Sequence, residues 1–144
     1  GSPFWSFYAL QALMEDGRVN AALNYMRIAW GLMLANGATT CWEMWDRRTS
    51  QCHGWSAGPA MILPAYVLGV RPLKPGFREF TFAPQLGDLK CAQGRVPTPH
   101  GPITIELEGN GAQVCGSISV PTGTTARTIV NGVKRRFAPG VHDI

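Results

Sequence analysis

Glu43 is the acidic residue of this sequence whose neighbours best suit a role in acid–base catalysis. It lies in the segment Thr39-Thr40-Cys41-Trp42-Glu43-Met44-Trp45, where large apolar side chains surround it and no cation is adjacent. Threonine hydroxyls or an indole N–H can hold such a carboxylate by hydrogen bonds, and a carboxylate held in this way can take a proton from water. The alternative is a structural carboxylate that is hydrogen-bonded and takes no part in catalysis.

Three tryptophans, Trp42, Trp45 and Trp55, lie close to this carboxylate in the sequence. Indole rings present broad apolar faces that fit the C–H faces of sugar rings, and each carries an N–H that can bind a hydroxyl. Alone, such tryptophans are more often part of a hydrophobic core. With a carboxylate and a histidine between them, they favour a carbohydrate-binding cleft.

His53 lies in the segment Cys52-His53-Gly54-Trp55, which indicates a loop in close contact with its surroundings. A neutral imidazole at this position can hydrogen-bond a sugar hydroxyl or orient Glu43, and a purely structural histidine is the alternative. His100 and His142 have no comparable neighbours, so we expect both at the surface.

The remaining polar residues indicate no metal site. Of the other acids in the first half, Glu15 and Asp16 border a glycine and Asp46 precedes two arginines, so solvent exposure and an ion pair are expected. The cysteines lack C-x-x-C spacing, which argues against zinc, and the sequence does not decide between disulfides and free thiols. They are Cys41, Cys52, Cys91 and Cys115.

The composition is that of an ordinary globular chain of 144 residues with a formal net charge of +4. The one basic cluster, Lys134-Arg135-Arg136, is interpreted as a solvated strand end rather than a nucleic-acid patch. No stretch reaches the ~20 apolar residues of a membrane span, and we expect neither nucleic acid nor a membrane as partner. The start of the chain shows no signal-peptide pattern, which leaves the localisation open.

Helical spacing marks the first half of the chain, and the elements there must position Glu43 and His53. Apolar stripes predict two helices, ended by Asp16-Gly17 and Asn36-Gly37, which form an antiparallel hairpin. A third helix is predicted from Ala57 to Leu68, kinked by Pro64; it carries no charge and should be buried on every side. Three helices cannot bury one another completely, so this half resembles a wedge of a larger helical assembly. In particular, we expect no partner in the chain for one face, formed by Met26, Trp30, Met33 and Leu34.

The second half has the alternation of β-strands. Ile103, Ile105 and Leu107 alternate with polar residues, the segment 114–120 alternates as well, and Asn131-Gly132 predicts a hairpin turn. Short strands separated by glycine and proline favour an antiparallel sandwich. The fold class is therefore α+β with segregated halves, and we place the boundary so that residues 1–72 are helical and residues 73–144 form the sandwich.

These motifs together resemble family 78 glycoside hydrolases, the bacterial α-L-rhamnosidases. The resemblance covers nearly the whole chain, and the order and spacing of the motifs make it specific. The motifs are Pro3-Phe4-Trp5-Ser6-Phe7-Tyr8, Thr39-Thr40-x-Trp42-Glu43, Cys52-His53-Gly54-Trp55, Leu68-Gly69-Val70-x-Pro72, Pro75-Gly76-Phe77, Pro97-Thr98-Pro99-x-Gly101 and Val120-Pro121-x-Gly123-Thr124-x-Ala126.

The resemblance implies the last helices of an (α/α)6 barrel followed by a C-terminal antiparallel β-sandwich. It also implies inverting hydrolysis of terminal α-L-rhamnose without a cofactor, in which one carboxyl group protonates the leaving oxygen and another activates water. By motif match Glu43 is the general base, His53 belongs to the sugar subsite, and Trp42 and Trp45 wall it. Trp55 completes the predicted substrate-binding set.

The sequence departs from the family pattern in two ways. Nothing in the chain matches the family's acidic motif for the general acid, and the stretch between Glu43 and His53 is shorter than in many members. The expected partners are thus a rhamnosyl glycoside or other carbohydrate and the missing N-terminal part of the enzyme or another subunit. One alternative is a non-catalytic carbohydrate-binding or assembly module. Another is that Glu43 and the tryptophans are simply barrel core, in a relative of the family with another sugar specificity.

Overall fold

The computed structural model describes residues 1–110 and 113–144, which divide into two compact units, Gly1–Ile62 and Leu63–Ile144. Residues 63–72, which the sequence pattern placed with the helices, have their contacts in the second unit. No helix within the described ranges is long and apolar enough to cross a membrane.

The first unit begins with a helical hairpin, α1 (Pro3–Glu15) and α2 (Val19–Ala35). Only residues 16–18 join the two helices, so they run back along each other as predicted. Both end before a glycine with positive φ, Gly17 at 73° and Gly37 at 79°, and the N–H of the following residue bonds back into the last turn. This left-handed C-terminal cap requires glycine for steric reasons.

The face of α2 that was expected to lack a partner is buried, so that prediction was wrong. Met26, Trp30 and Met33 are 8%, 9% and 2% exposed, and only Leu34 is open to solvent. The reason is that the chain after α2 folds back over this face, where the Trp30 indole N–H donates to the Ser56 carbonyl at 2.8 Å. The uncovered apolar side chains of this hairpin lie elsewhere. They include Trp5, Tyr8, Ile28 and Leu32.

The third helix follows the prediction in position but not in form. An α-helical segment, α3 (Gly58–Ile62), passes directly into a π-helical turn at Leu63–Val67. Pro64 lies at this change because proline has no N–H to continue the α-helical ladder. Met61 and Leu63 are 42% and 41% exposed, so the three helices do not bury this apolar segment on every side within the chain, as the sequence argument expected of a wedge of a larger assembly.

The second unit is a sandwich of two four-stranded sheets. Six of its eight strands pair only with antiparallel neighbours, as the sequence predicts, whereas β2 and β6 run parallel to each other. A parallel pair needs a long crossover connection, and the three intervening strands provide it. The first sheet has the spatial order β1 (Val70–Pro72), β2 (Glu79–Phe82), β6 (Thr125–Val130), β7 (Val133–Phe137). The second sheet has the spatial order β3 (Cys91–Val96), β4 (Ile103–Gly109), β5 (Val114–Val120), β8 (Gly140–Asp143).

The predicted alternation places the core between the two sheets. Ile103, Ile105 and Leu107 of β4 are 0%, 1% and 3% exposed and pack in one cluster with the buried side of β2, Phe80 and Phe82. The predicted hairpin turn is confirmed as well. Asn131 and Gly132 both have positive φ, 50° and 76°, as a two-residue type I′ turn requires.

Candidate active site

The residues proposed for chemistry lie in the first unit, on the segment between α2 and α3. Two arms of this segment face each other through backbone hydrogen bonds. The Glu43 N–H donates to the Ser50 carbonyl at 2.8 Å, and the His53 N–H donates to the Cys41 carbonyl at 2.8 Å. This ladder brings Glu43 and His53 to the same place although the turn at residues 44–49 separates them in sequence.

The Glu43 carboxylate is held by one arm of this ladder while part of it stays open to solvent. Its Oε2 accepts a hydrogen bond from the Ser50 N–H at 3.2 Å and lies 4.0 Å from Nδ1 of His53. The Glu43 side chain is 29% exposed and the His53 side chain 30%. A carboxylate with one oxygen fixed and the group partly solvated is placed to bind and polarise a water molecule.

His53 is oriented by an aromatic neighbour. Its ring and that of Trp55 have centroids 4.2 Å apart at an angle of 47°, and Trp55 also lies 5.6 Å from the ring of Phe4 on α1. Trp55 is 49% exposed, so half of its surface is open beside the imidazole. The carboxylate, the imidazole and the partly open indole thus lie in succession in one cluster.

Trp42 and Trp45 are placed differently from Trp55. Trp42 is 2% exposed, and the guanidinium of Arg47 lies 5.4 Å from its ring centroid, so both burial and a cation–π contact cover the ring. Trp45 is half-buried; its N–H donates to the Gly1 carbonyl at 2.6 Å and its ring meets Trp30 edge-on at 5.2 Å. Both therefore support the loop that carries Glu43.

Asp46 fills the structural role that the sequence indicated. Its carboxylate accepts hydrogen bonds from the side chain and the backbone N–H of Arg48, at 2.8 and 2.9 Å. The side-chain hydrogen bond is the larger cause that holds the pKa of Asp46 below its ordinary value. Asp46 is consequently ionised at neutral pH and shapes the turn between the two arms.

The sequence missed the contribution of Ser50, which acts through its backbone rather than its side chain. The available signal was the turn residue Asp46 midway between the arms, because a turn there sets Glu43 opposite Ser50. Of the other histidines, His100 is exposed as expected, whereas His142 is half-buried and stacks on Phe137 at 4.5 Å.

The cysteines and possible metal ligands add nothing further to this site. All four cysteines are free thiols, with Cys41 half-buried and Cys52, Cys91 and Cys115 exposed. Within residues 1–110 and 113–144, no group of three or more histidine, cysteine, aspartate or glutamate side chains is arranged to hold a metal ion.

Comparison with known protein families agrees with both halves of this description. Residues 1–67 match the bacterial α-L-rhamnosidase six-hairpin glycosidase domain, and residues 69–144 match the bacterial α-L-rhamnosidase C-terminal domain. The helical unit and the sandwich are thus the kinds of domain found in a glycoside hydrolase. The chain belongs to the bacterial α-L-rhamnosidase family.

Individual relatives agree with this assignment. An α-L-rhamnosidase of Alteromonas sp. (strain LOR) is 31% identical over 70% of this chain, which covers 12% of that protein. The crystal structure of a GH78 family rhamnosidase of Bacillus sp. GL1 is 41% identical with a TM-score of 0.71, over 78% of this chain and 13% of that one. An α-L-rhamnosidase from Dictyoglumus thermophilum shares the fold, with a TM-score of 0.81 at 23% identity over 96% of this chain and 20% of that one. The chain therefore spans between 12% and 20% of the length of these relatives.

Proposed function

We propose that this chain supplies the water-activating carboxylate of an inverting α-L-rhamnosidase, and that this carboxylate is Glu43. The observation that carries the proposal is the position of Glu43 Oε2, which is fixed by the Ser50 N–H at 3.2 Å beside the His53 imidazole at 4.0 Å. Family membership adds the reaction, since the relatives are named α-L-rhamnosidases.

The proposed roles of the neighbouring residues follow from their exposure. His53 lies beside the carboxylate and Trp55 beside His53, and both have open surface. We assign both to direct contact with the sugar, the imidazole to a hydroxyl and the indole face to ring C–H groups. Trp42 and Trp45, predicted as walls of the subsite, are assigned to positioning Glu43 from within the loop.

The reaction requires a second carboxyl group that protonates the leaving oxygen, about 6.5–9.5 Å from the base in an inverting enzyme. Asp46 does not suit this role, because its hydrogen bonds from Arg48 lower its pKa and keep it ionised. We propose that the acid comes from another part of the longer protein or from another subunit, and that the apolar helix surface around Ile28 and Leu32 adjoins that part.

The test measures the release of nitrophenol from a nitrophenyl α-L-rhamnoside. The native protein, expressed from the full-length gene, is compared with its Glu43→Gln variant. Loss of the base should lower kcat by about 10²–10⁴-fold with little change in KM. Glu15→Gln, an exposed carboxylate at the end of α1, is the matched control and should retain activity. Inversion is checked by identifying the anomer released first, because a retaining product would contradict the role of water activation.

Binding of sugar without turnover is the alternative function. It is favoured if the unsubstituted native protein binds L-rhamnose through His53 and Trp55 but releases no nitrophenol. In that case the Glu43 proposal fails, while the sugar cleft stands.

A further inference from the structure

The outward face of one sheet in the second unit carries a line of cations. Arg71, Thr81, Arg127 and Arg136 are partners in register on the four adjacent strands β1, β2, β6 and β7. Side chains at paired positions point to the same face, and neighbouring strands are ~4.8 Å apart. Three of the four positions in this row are therefore arginines on one surface.

A buried carboxylate organises this line. Glu79, two residues before Thr81 and hence on the same face, is 4% exposed. Its oxygens lie 2.6 Å from Nε of Arg127, 3.4 Å from Nζ of Lys74 and 3.9 Å from a guanidinium nitrogen of Arg136. The hydrogen bond from Arg127 is the first cause that lowers the pKa of Glu79, so this anchor stays ionised at neutral pH.

The cations that contact Glu79 remain largely exposed to solvent. The side chains of Lys74, Arg127 and Arg136 are 64%, 62% and 70% exposed, although each contacts Glu79. One carboxylate balances one of three positive charges, which leaves an excess of two at this cluster. Arg71, whose guanidinium rests on the Tyr66 ring at 4.8 Å, extends the positive surface to the first strand.

The outward face of the other sheet differs in charge. Its corresponding row pairs Gln93, Glu106, Ser117 and Asp143 across β3, β4, β5 and β8. This row holds two carboxylates and no cation, whereas the matching row of the first sheet holds three arginines. The difference in charge between the two rows suits a surface that binds an anionic partner.

We propose that the basic face formed by Arg71, Lys74, Arg127 and Arg136 binds the acidic groups of an anionic polysaccharide. Cations repeated across strands match a polymer with repeated carboxylate or sulfate groups, and arginine binds such oxygens with two parallel hydrogen bonds. This face would give a protein of a carbohydrate-active family a second contact with a polymeric substrate. The proposal depends on family membership and not on the role of Glu43.

Nucleic acid is the less suitable partner for this face. Proteins that bind single-stranded nucleic acid combine a basic groove with aromatic rings on which bases stack. Among the described residues, the tryptophan and tyrosine side chains that are more than a third exposed all belong to the first unit, and Tyr66 beneath Arg71 is 2% exposed. The basic face therefore offers charge without a stacking surface.

The experiment measures binding of the native protein to polygalacturonate and dextran sulfate, with neutral dextran and duplex DNA as comparison ligands. The double variant Arg127→Gln/Arg136→Gln should bind the two anionic glycans about tenfold more weakly. Lys90→Gln/Arg95→Gln is the matched control, because it removes the same charge from exposed residues of the other side of the sandwich. Binding should also fall as salt rises from about 50 to about 200 mM.

Each outcome decides the proposal. Loss of glycan binding in the first variant alone, with no binding of neutral dextran, supports it. Equal weakening in both variants means that net charge alone is responsible and overturns it, as does tighter binding of DNA than of either glycan. Rhamnoside hydrolysis is measured on the same variants; retained hydrolysis with lost polymer binding separates this face from the Glu43 site.

Discussion

The side chain of Asn131 provides a quantitative test of how the sandwich is held together. Its Oδ1 accepts a hydrogen bond from the Val114 N–H at 2.9 Å, and its Nδ2 donates to the Val114 carbonyl at 2.8 Å. The amide thus pairs with the start of β5 as a neighbouring strand would. Its own backbone has φ of 50°, the left-handed conformation that the turn to Gly132 needs.

Three substitutions separate these contributions. Asn131→Asp keeps the acceptor and loses one hydrogen bond, a cost of about 0.5–1.5 kcal/mol. Asn131→Gly keeps the positive φ and loses both bonds, about 1–3 kcal/mol in total. Asn131→Ala loses both and adds about 1–2 kcal/mol for a side chain in the left-handed region. The expected order of destabilisation is therefore Asp, then Gly, then Ala.

The assay is hydrogen exchange of the peptide that contains Val114 in the native protein, together with urea unfolding of the same variants. The Val114 amide should stay protected in Asn131→Asp and lose protection in Asn131→Gly, because only aspartate retains the acceptor. If aspartate exposes this amide as much as glycine does, the pairing through Oδ1 is refuted. If alanine is no less stable than glycine, the positive φ at Asn131 is refuted.

Three further predictions concern the site and the sandwich. Trp55→Ala should raise KM for the rhamnoside about tenfold with a smaller effect on kcat, because it removes the open ring face beside His53; steady-state kinetics measure it. The lowered pKa of Glu79 stabilises the fold above the unfolded value of 4.5, and this contribution is lost as pH falls through the lower folded pKa. Glu79→Gln should thus flatten the dependence of unfolding free energy on pH in this acidic range, as followed by urea unfolding. Gly116→Ala should prevent normal folding, since its Cβ would overlap the Glu106 carbonyl, and the yield of folded protein measures this.

The controls for these predictions lie in the same chain. Trp55→Phe keeps an aromatic face and should restore most of the affinity lost in the alanine variant. Gly132→Ala also places a side chain at positive φ, 76°, but meets open space, so it should cost about 1–2 kcal/mol and still fold. A Gly116→Ala variant as stable as Gly132→Ala would contradict the close approach of β4 and β5.

The helical and strand patterns could be predicted because each depends on neighbours in the sequence. Glycines fixed the ends of α1 and α2, alternation identified the buried side of β4, and Asn131-Gly132 specified its turn. The parallel pairing of β2 with β6 could not be predicted, because these strands meet only after the intervening chain has folded. The burial of Met26 and Met33 was missed for a similar reason: it depends on where the segment after α2 returns.

For the site, residue types alone predicted Glu43, His53 and the tryptophans as candidates, and motif order indicated the family. Residue types cannot tell which of the three tryptophans is buried and which is exposed, since the side chain is the same in both cases. Only the tertiary structure separates the covered ring of Trp42 from the open ring of Trp55, and only it reveals Glu79 beneath three cations contributed by distant segments. Local sequence determines which elements form and which chemistry is available, whereas burial and long-range pairing, which need the folded chain, determine which of those groups can meet a ligand.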